Sequence, residues 1–143
     1  MKTDLAKILS VSGQHGLYRY LAQSRTGAIA EALSDGKRTA FDAHSRISTL
    51  ADIAIFTSEG EMKLAEVLVA MKKLAEGGAP VPSAKDNPEA IKAFFADAVP
   101  NYDADRFYVS HMKKVLDWYG ELDKYASFDF VTDEERENEQ KED

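Results

Sequence analysis

The chain has 143 residues, no cysteine and a net charge of −7 at pH 7. A chain of this length buries one hydrophobic core or two small cores packed together, and without cysteine it has no disulfide, thiolate nucleophile or ordinary iron–sulfur site. It has no long apolar run and its first residues lack the pattern of a signal peptide, so we expect a cytoplasmic protein.

Charge is distributed unevenly along the chain. Residues 1–57 carry a net charge of +2 and the remainder carries −9. Acidic residues are concentrated at the end, in Asp133–Asp143. Such a run repels itself and has little apolar surface to bury, so residues 128–143 are predicted to form an acidic, disordered tail. A solvating role is the simpler interpretation of this tail, and docking onto a basic partner is the alternative.

The first predicted element is a short helix. Its cap is Thr3 or Asp4, and Leu5, Ile8 and Leu9 lie on one face of it. Serines and a glycine follow directly, and because these are poor helix residues we expect the helix to end soon.

Four strands are predicted next, separated by turn signals. The segment of Ala28 is ambiguous, because alanine favours helices, but it is only six residues long and precedes the hairpin signal Asp35-Gly36. The predicted strands are Leu17–Ala22, Ala28–Leu33, Arg38–Ala43 and Ile53–Thr57, with one capped helical turn at Ser48–Asp52. This pattern is typical of a small SH3-like β-barrel or a curled antiparallel sheet.

Three helices are predicted in the second half. Met62–Ala75 has apolar residues at helical spacing, and Asn87 followed by Pro88 is a helix start that leads to a second helix ended by Pro100. A third helix is predicted to begin after Ser110 as its cap and to end near Tyr125. We therefore predict an α+β fold with a β-rich unit, residues 1–60, packed on a helical unit, residues 61–127.

Neither metal-binding nor catalytic motifs occur in the sequence. His15, His44 and His111 are not spaced with carboxylates as metal ligands would be, so we predict neither a metal nor a cofactor. Gly13–Gly16 has the form of the G-x-x-G loop that holds nucleic acid in KH domains, but without the flanking helices and positive charge it is better interpreted as a turn.

A polar cluster follows Pro100. We expect Asp103 to cap a turn and Arg106 to pair with a neighbouring acid. A catalytic role would need carboxyl groups held together in a cleft, which proximity in sequence does not establish. No catalytic residue is therefore predicted, although an enzyme built from scattered residues such as Asp103, Arg106 and His111 stays an alternative.

A few aromatic and basic residues are candidates for an interaction surface. Tyr18 and Tyr20 fall on one side of the first predicted strand, and together with Lys37 and Arg38 they could stack on and neutralise single-stranded RNA. Core packing explains the tyrosines more simply, and the net charge of −7 disfavours RNA. The full set of interaction candidates is Tyr18, Tyr20, Lys37, Arg38, Arg106 and Trp118.

Several segments together resemble an uncharacterised bacterial family of unknown function. The resemblance lies in Lys7–Gly13, Gly16–Tyr18, Leu50–Thr57 and Tyr108–Tyr119, and it spans nearly the whole chain before the acidic end. It implies a strand rather than a helix at Ala28–Leu33 and favours the cytoplasm. The family supplies no activity, cofactor or binding residue.

These observations leave three hypotheses of function. The first is a non-enzymatic protein-interaction or adaptor module that binds another protein through an exposed groove or edge. The second is an RNA- or ribosome-associated accessory factor that uses the mildly basic first part of the chain. The third is an enzyme whose site is not visible in the sequence.

Overall fold

The computed structural model describes residues 2–14, 16–42, 44–132, 134–135 and 137. Within these residues the strands are β1 Ile8–Val11, β2 Tyr18–Gln23, β3 Gly27–Ala32, β4 Arg38–Asp42, β5 Ile47–Thr49, β6 Ala54–Thr57 and β7 Gly60–Lys63. The helices are α1 Leu64–Glu76, α2 Pro88–Ala98 and α3 Val109–Tyr125, with 3-10 turns at Leu5–Lys7 and Leu50–Asp52. None of these helices has the length and apolar character needed to cross a membrane.

Five strands form one antiparallel sheet in the order β4-β3-β2-β1-β5. The sheet is curled but does not close, since β4 and β5 are its two edges. Strands β6 and β7 form a separate hairpin that leads directly into α1. The predicted α+β class is confirmed, with the curled sheet rather than the closed barrel.

The predicted first helix is wrong beyond Lys7. Asp4 caps a single 3-10 turn, its Oδ1 accepting from Ala6 N at 3.0 Å, and the chain then continues as β1. Ile8 joins the main core, whereas Leu9 joins a second cluster on the other face of the sheet. Side chains that alternate between two faces have the period of a strand, so the apolar residues do not share one helical face.

Other element boundaries also differ from the prediction. Strand β5, not predicted, pairs with β1, and residues 60–63, including Met62, form β7 before α1 begins. Helix α3 begins at Val109 with Tyr108 as its N-cap, so the predicted cap at Ser110 is wrong. The ambiguous Ala28–Leu33 segment is a strand, as predicted, except that β3 ends at Ala32 and Leu33 belongs to the following turn.

The main hydrophobic core lies between the three helices and the near part of the sheet. It combines side chains of the first fifty residues, such as Leu5, Leu17 and Leu50, with those of the helices, such as Met71 and Phe95. A smaller cluster on the opposite sheet face contains Leu9, Val11, Ala30 and Phe41. The division predicted at residue 60 stays a prediction. One core contains side chains from both sides of that position.

A strap, residues 127–131, joins the end of the chain to its beginning. Thr3 N donates to Asp129 O at 2.8 Å, Val131 N donates to Thr3 O at 3.0 Å, and the Thr3 hydroxyl accepts from Ser127 N at 3.0 Å. Phe128 of the strap stacks on Tyr119 at 4.7 Å between ring centroids. Burial raises the pKa of Tyr119.

The predicted acidic tail therefore begins within an ordered strap. Beyond it, Lys2 Nζ contacts Glu135 Oε2 at 2.6 Å, and this hydrogen bond raises the pKa of Lys2 and lowers that of Glu135. The rest of the predicted tail, namely Asp133, Arg136 and residues 138–143, lies outside the described residues.

Candidate functional site

A groove of about 310 Å³ lies between the β6–β7 hairpin and the outer side of α3. We call it the Trp118 groove. Its lining residues are Ile53, Ala54, Ile55, Phe56, Arg106, Phe107, His111, Lys114, Val115 and Trp118. Two of the sequence-predicted interaction candidates, Arg106 and Trp118, meet in it.

The loop before α3 fixes one wall of the groove. Asp103 N donates to Phe56 O at 2.8 Å, which holds this loop against β6, and Asp103 Oδ1 accepts from Asp105 N at 2.9 Å. Arg106 Nε lies 3.7 Å from Asp103 Oδ2, so the predicted turn cap and ion pair are both present. The Arg106 guanidinium carbon lies 4.8 Å from the centre of the Phe56 ring, which is a cation–π contact.

His111 is oriented by the start of α3. Its Nδ1 accepts a hydrogen bond from Tyr108 N at 3.1 Å, and its ring stacks on Phe107 at 6.4 Å between centroids. Because Nδ1 is the acceptor, the neutral imidazole carries its proton on Nε2. The free ring nitrogen is therefore a hydrogen-bond donor and not a base.

Helix α3 supplies the other wall. His111, Lys114, Val115 and Trp118 stand at helical positions i, i+3, i+4 and i+7, which share one face of a helix. Val115 is buried, while Trp118 is half-buried and packs against the main core. The indole therefore exposes part of its surface in the groove, while its contacts with the main core hold it in position.

The chemistry of the groove is apolar with a cationic rim. Among the described residues that line it, Arg106 and Lys114 carry positive charge, His111 adds an N–H donor, and none is acidic. The remaining lining is aliphatic or aromatic. Such a surface can hold one apolar side chain together with a carboxylate, because each part of this ligand finds its own partner.

The residues that were predicted to bind RNA do not form one surface in the structure. Tyr18 is half-buried and packs edge-on against Phe41 at 5.0 Å, in the smaller core cluster, whereas Tyr20 is exposed. Tyr20 pairs with Ala30 of β3, which in turn pairs with Thr39 of β4, so these three residues form one row across the sheet. Arg38 belongs to the next row. Adjacent rows point to opposite faces, so Arg38 and the tyrosines lie on different sides of the sheet.

Lys37 lies at the end of the sheet, outside the Trp118 groove. Its backbone carbonyl accepts from Ala32 N at 2.9 Å and its N–H donates to Asp35 Oδ1 at 3.0 Å, so it closes the β3–β4 turn. Within the described part of the chain, no three histidine or carboxylate side chains converge as metal ligands do. His15 lies outside the described residues.

Sequence reasoning missed Phe56 and Lys114. Lys114 lies four residues before Trp118, and residues four positions apart share one face of a helix. The spacing in α3 therefore indicates that Lys114 lies beside Trp118. Phe56 was interpreted only as a strand residue, and it meets Arg106 through a tertiary contact across fifty positions. No local pattern indicates such a contact.

Comparison with known proteins finds two family models and a solved structure that match this chain. Two family models match successive parts of the chain, each described as a domain of unknown function: DUF5606 over residues 5–50 and DUF6852 over residues 53–122. A solution NMR structure of a protein from Bacteroides vulgatus is 38% identical, with a TM-score of 0.69, over 82% of this chain and 84% of that chain. No significant match is found among curated proteins. These findings agree with the predicted resemblance to an uncharacterised family.

Proposed function

We propose that this chain, which belongs to the same family as the Bacteroides vulgatus protein, is a non-enzymatic protein-interaction module. Its Trp118 groove binds a short segment of another protein that carries an apolar side chain beside an acidic one. The observation that supports this function is the combination of an apolar floor with Arg106, His111 and Lys114, and no acidic lining residue among those described.

The residue types of the groove suit protein recognition. Tryptophan and arginine are enriched among residues that dominate binding energy, especially where a pocket excludes water from them. Trp118 is held by the core and Arg106 by Phe56 and Asp103, so little side-chain freedom is lost when a partner binds. We therefore expect this groove to bind its partner more tightly than a flexible surface of the same area would.

An acidic protein segment fits this surface better than RNA. RNA affinity comes mainly from many phosphate contacts along a strand, and the chain as a whole carries a net charge of −7. The cations of Arg106 and Lys114 and the N–H donor of His111 match one or two carboxylates. The acidic remainder of the surface would repel a longer polyanion.

The enzyme hypothesis has less support from the same groove. Arg106 and His111 line it, but the Asp103 carboxylate is engaged by Arg106 and by a backbone N–H. His111 offers a proton donor at Nε2 and no free basic nitrogen, because Nδ1 accepts from Tyr108 N. General-base chemistry would require the other tautomer.

The test selects random peptides displayed on phage against the full chain and then measures binding of the selected peptides by the fluorescence of Trp118. Trp118 is the single tryptophan of the chain and lines the groove, so its emission should change when a peptide binds there. We expect the selected peptides to combine acidic and apolar residues and to shift the emission to shorter wavelength. Selection of no peptide, or of peptides without acidic residues, would contradict the proposal.

Two neighbouring lysines provide a matched control. Lys114 lines the groove, whereas Lys113 is exposed outside it on the same helix. The Lys114→Glu variant should weaken peptide binding by roughly tenfold or more, and Lys113→Glu should leave it nearly unchanged. Equal losses of peptide binding in the two variants would show a general effect of charge and would contradict binding in the Trp118 groove.

A further inference from the structure

Strand β4 is an open edge of the five-stranded sheet. It lies outermost in the order β4-β3-β2-β1-β5, and its five residues contain neither proline nor a register shift against β3. Natural proteins ordinarily protect such edges with proline, bulges, covering segments or charged side chains, and β4 carries the last of these at Arg38 and Asp42. In the described part of the chain, no other strand pairs with the outer side of β4.

The register shows which backbone groups face outward. Ala32 N donates to Lys37 O at 2.9 Å, which makes this opposed pair a hydrogen-bonded one. Hydrogen-bonded pairs recur at every second residue, so Thr39 and Phe41 bond to β3. The N–H and C=O groups of Arg38, Ala40 and Asp42 therefore point away from the sheet.

The sequence of β4 is complementary to itself. When two copies of β4 pair antiparallel about Ala40, each Ala40 faces the partner's Ala40 and each Arg38 faces the partner's Asp42. These are the residues whose backbone groups point outward, so the register that matches the charges is also one that allows hydrogen bonds. If one strand shifted by a single residue, backbone groups that already bond to β3 would face the partner strand. The hydrogen bonds between the two copies could then not form in this way.

The side chains of this register are available for pairing. Arg38 and Asp42 are both exposed, and Arg38 forms no ion pair within the described residues. Asp42 Oδ1 accepts from His44 N and Ser45 N, and its second oxygen, Oδ2, is left for an arginine. The Asp42 carbonyl accepts from Ser45 N at 3.1 Å, so the paired edge relies mainly on the Ala40 groups and the Asp42 N–H.

We propose that the β4 edge binds a second copy of this chain, forming a symmetric dimer with one continuous sheet. The two-fold axis passes between the two Ala40 residues, and two equivalent ion pairs join Arg38 to the partner's Asp42. Such an interface is isologous and closes after two copies. It lies on a different part of the chain from the Trp118 groove, so each surface is tested without the other.

The test uses two charge-reversed variants of the full chain, Arg38→Glu and Asp42→Arg. Each variant alone places like charges opposite each other twice in the dimer, and a mixture of the two restores opposite charges at both positions. We expect the wild-type chain to dimerise in sedimentation equilibrium and each variant alone to dimerise at least about tenfold more weakly. The equimolar mixture should recover a heterodimer.

Circular dichroism of each variant checks that it is folded, since Arg38 also lies opposite Glu31 and Asp42 closes a turn. A wild-type monomer at about 1 mM would overturn the proposal and leave the edge to a strand from another protein. Variants that dimerise as the wild type does would also overturn it, as would two folded variants whose mixture stays monomeric. Hydrogen exchange gives a second readout, with slowed exchange at Ala40 N–H in the dimer.

Discussion

Gly16 shows how one residue can satisfy two constraints. Its φ of +81° lies in the left-handed region, which residues with a Cβ adopt at a cost. A Cβ at this position would also overlap Glu121 Oε1, which accepts a hydrogen bond from Leu17 N at 3.2 Å. Gly13 has a similar φ of +85°, but a Cβ there would meet no atom within 4 Å.

We therefore expect Gly16→Ala to destabilise the protein by roughly 2–4 kcal/mol, from the strained φ and the lost Leu17 N–H bond. Gly13→Ala should cost only about 1 kcal/mol. In a Glu121→Ala background, Gly16→Ala should fall to the cost of Gly13→Ala. Urea denaturation of the four variants measures these differences, and equal effects of Gly16→Ala in both backgrounds would contradict the role of Glu121.

Sequence reasoning at this scale identified the turn but not its partner. Gly13–Gly16 was predicted to be a turn, and both of its glycines have positive φ. Glu121 lies more than a hundred positions away on α3, and only folding brings it under Gly16. The turn is a local property of glycine, whereas the contact is not.

The beginnings of α2 and α3 show when a helix cap can be predicted. Asn87 Oδ1 accepts from Ala90 N at 2.8 Å and Pro88 occupies the first helical position, as predicted. In α3 the first carbonyl of the helix is that of Tyr108, which accepts from Met112 N at 3.0 Å. Phe107 is buried in the main core, and His111 Nδ1 accepts from the Tyr108 N–H, so the groups that satisfy the start of the helix lie around Tyr108 and not at Ser110.

This difference gives a prediction on stability. Asn87→Ala should lower the free energy of unfolding by about 1 kcal/mol, because the Ala90 N–H loses its acceptor. Asn87→Asp keeps an acceptor and should cost little. Ser110→Ala should be nearly neutral in thermal denaturation, and a loss comparable to that of Asn87→Ala would mean that Ser110 does cap α3.

At the scale of the whole molecule, the strap closes the chain on itself. Thr3 is 8% exposed, and its backbone and hydroxyl groups bond to Ser127, Asp129 and Val131. Phe128 and Phe130 of the strap pack against the main core. The beginning of the chain and the strap therefore stabilise each other, although more than a hundred residues separate them in the sequence.

Two truncations separate the strap from the acidic end. A chain ending at Thr132 loses the exposed Lys2–Glu135 pair and should keep its melting temperature within about 2 °C. A chain ending at Ala126 also loses the strap, and its free energy of unfolding should fall by roughly 3 kcal/mol or more. Equal melting temperatures of the two truncated chains would show that the strap adds no stability.

The sequence by itself determined the absence of thiol chemistry, the strands β2, β3 and β4 with their turns, and the apolar stripes of the helices. These features depend on residue type and on spacing within a few positions, so a local pattern contains them. Only the tertiary structure decided the pairing of β5 with β1, the strap, the contact of Phe56 with Arg106 and the open β4 edge. Three of these features are contacts between distant parts of the chain, and the fourth is an edge that no other strand of the described residues covers. Where distant parts meet depends on the packing of the whole core, so no single segment contains this information.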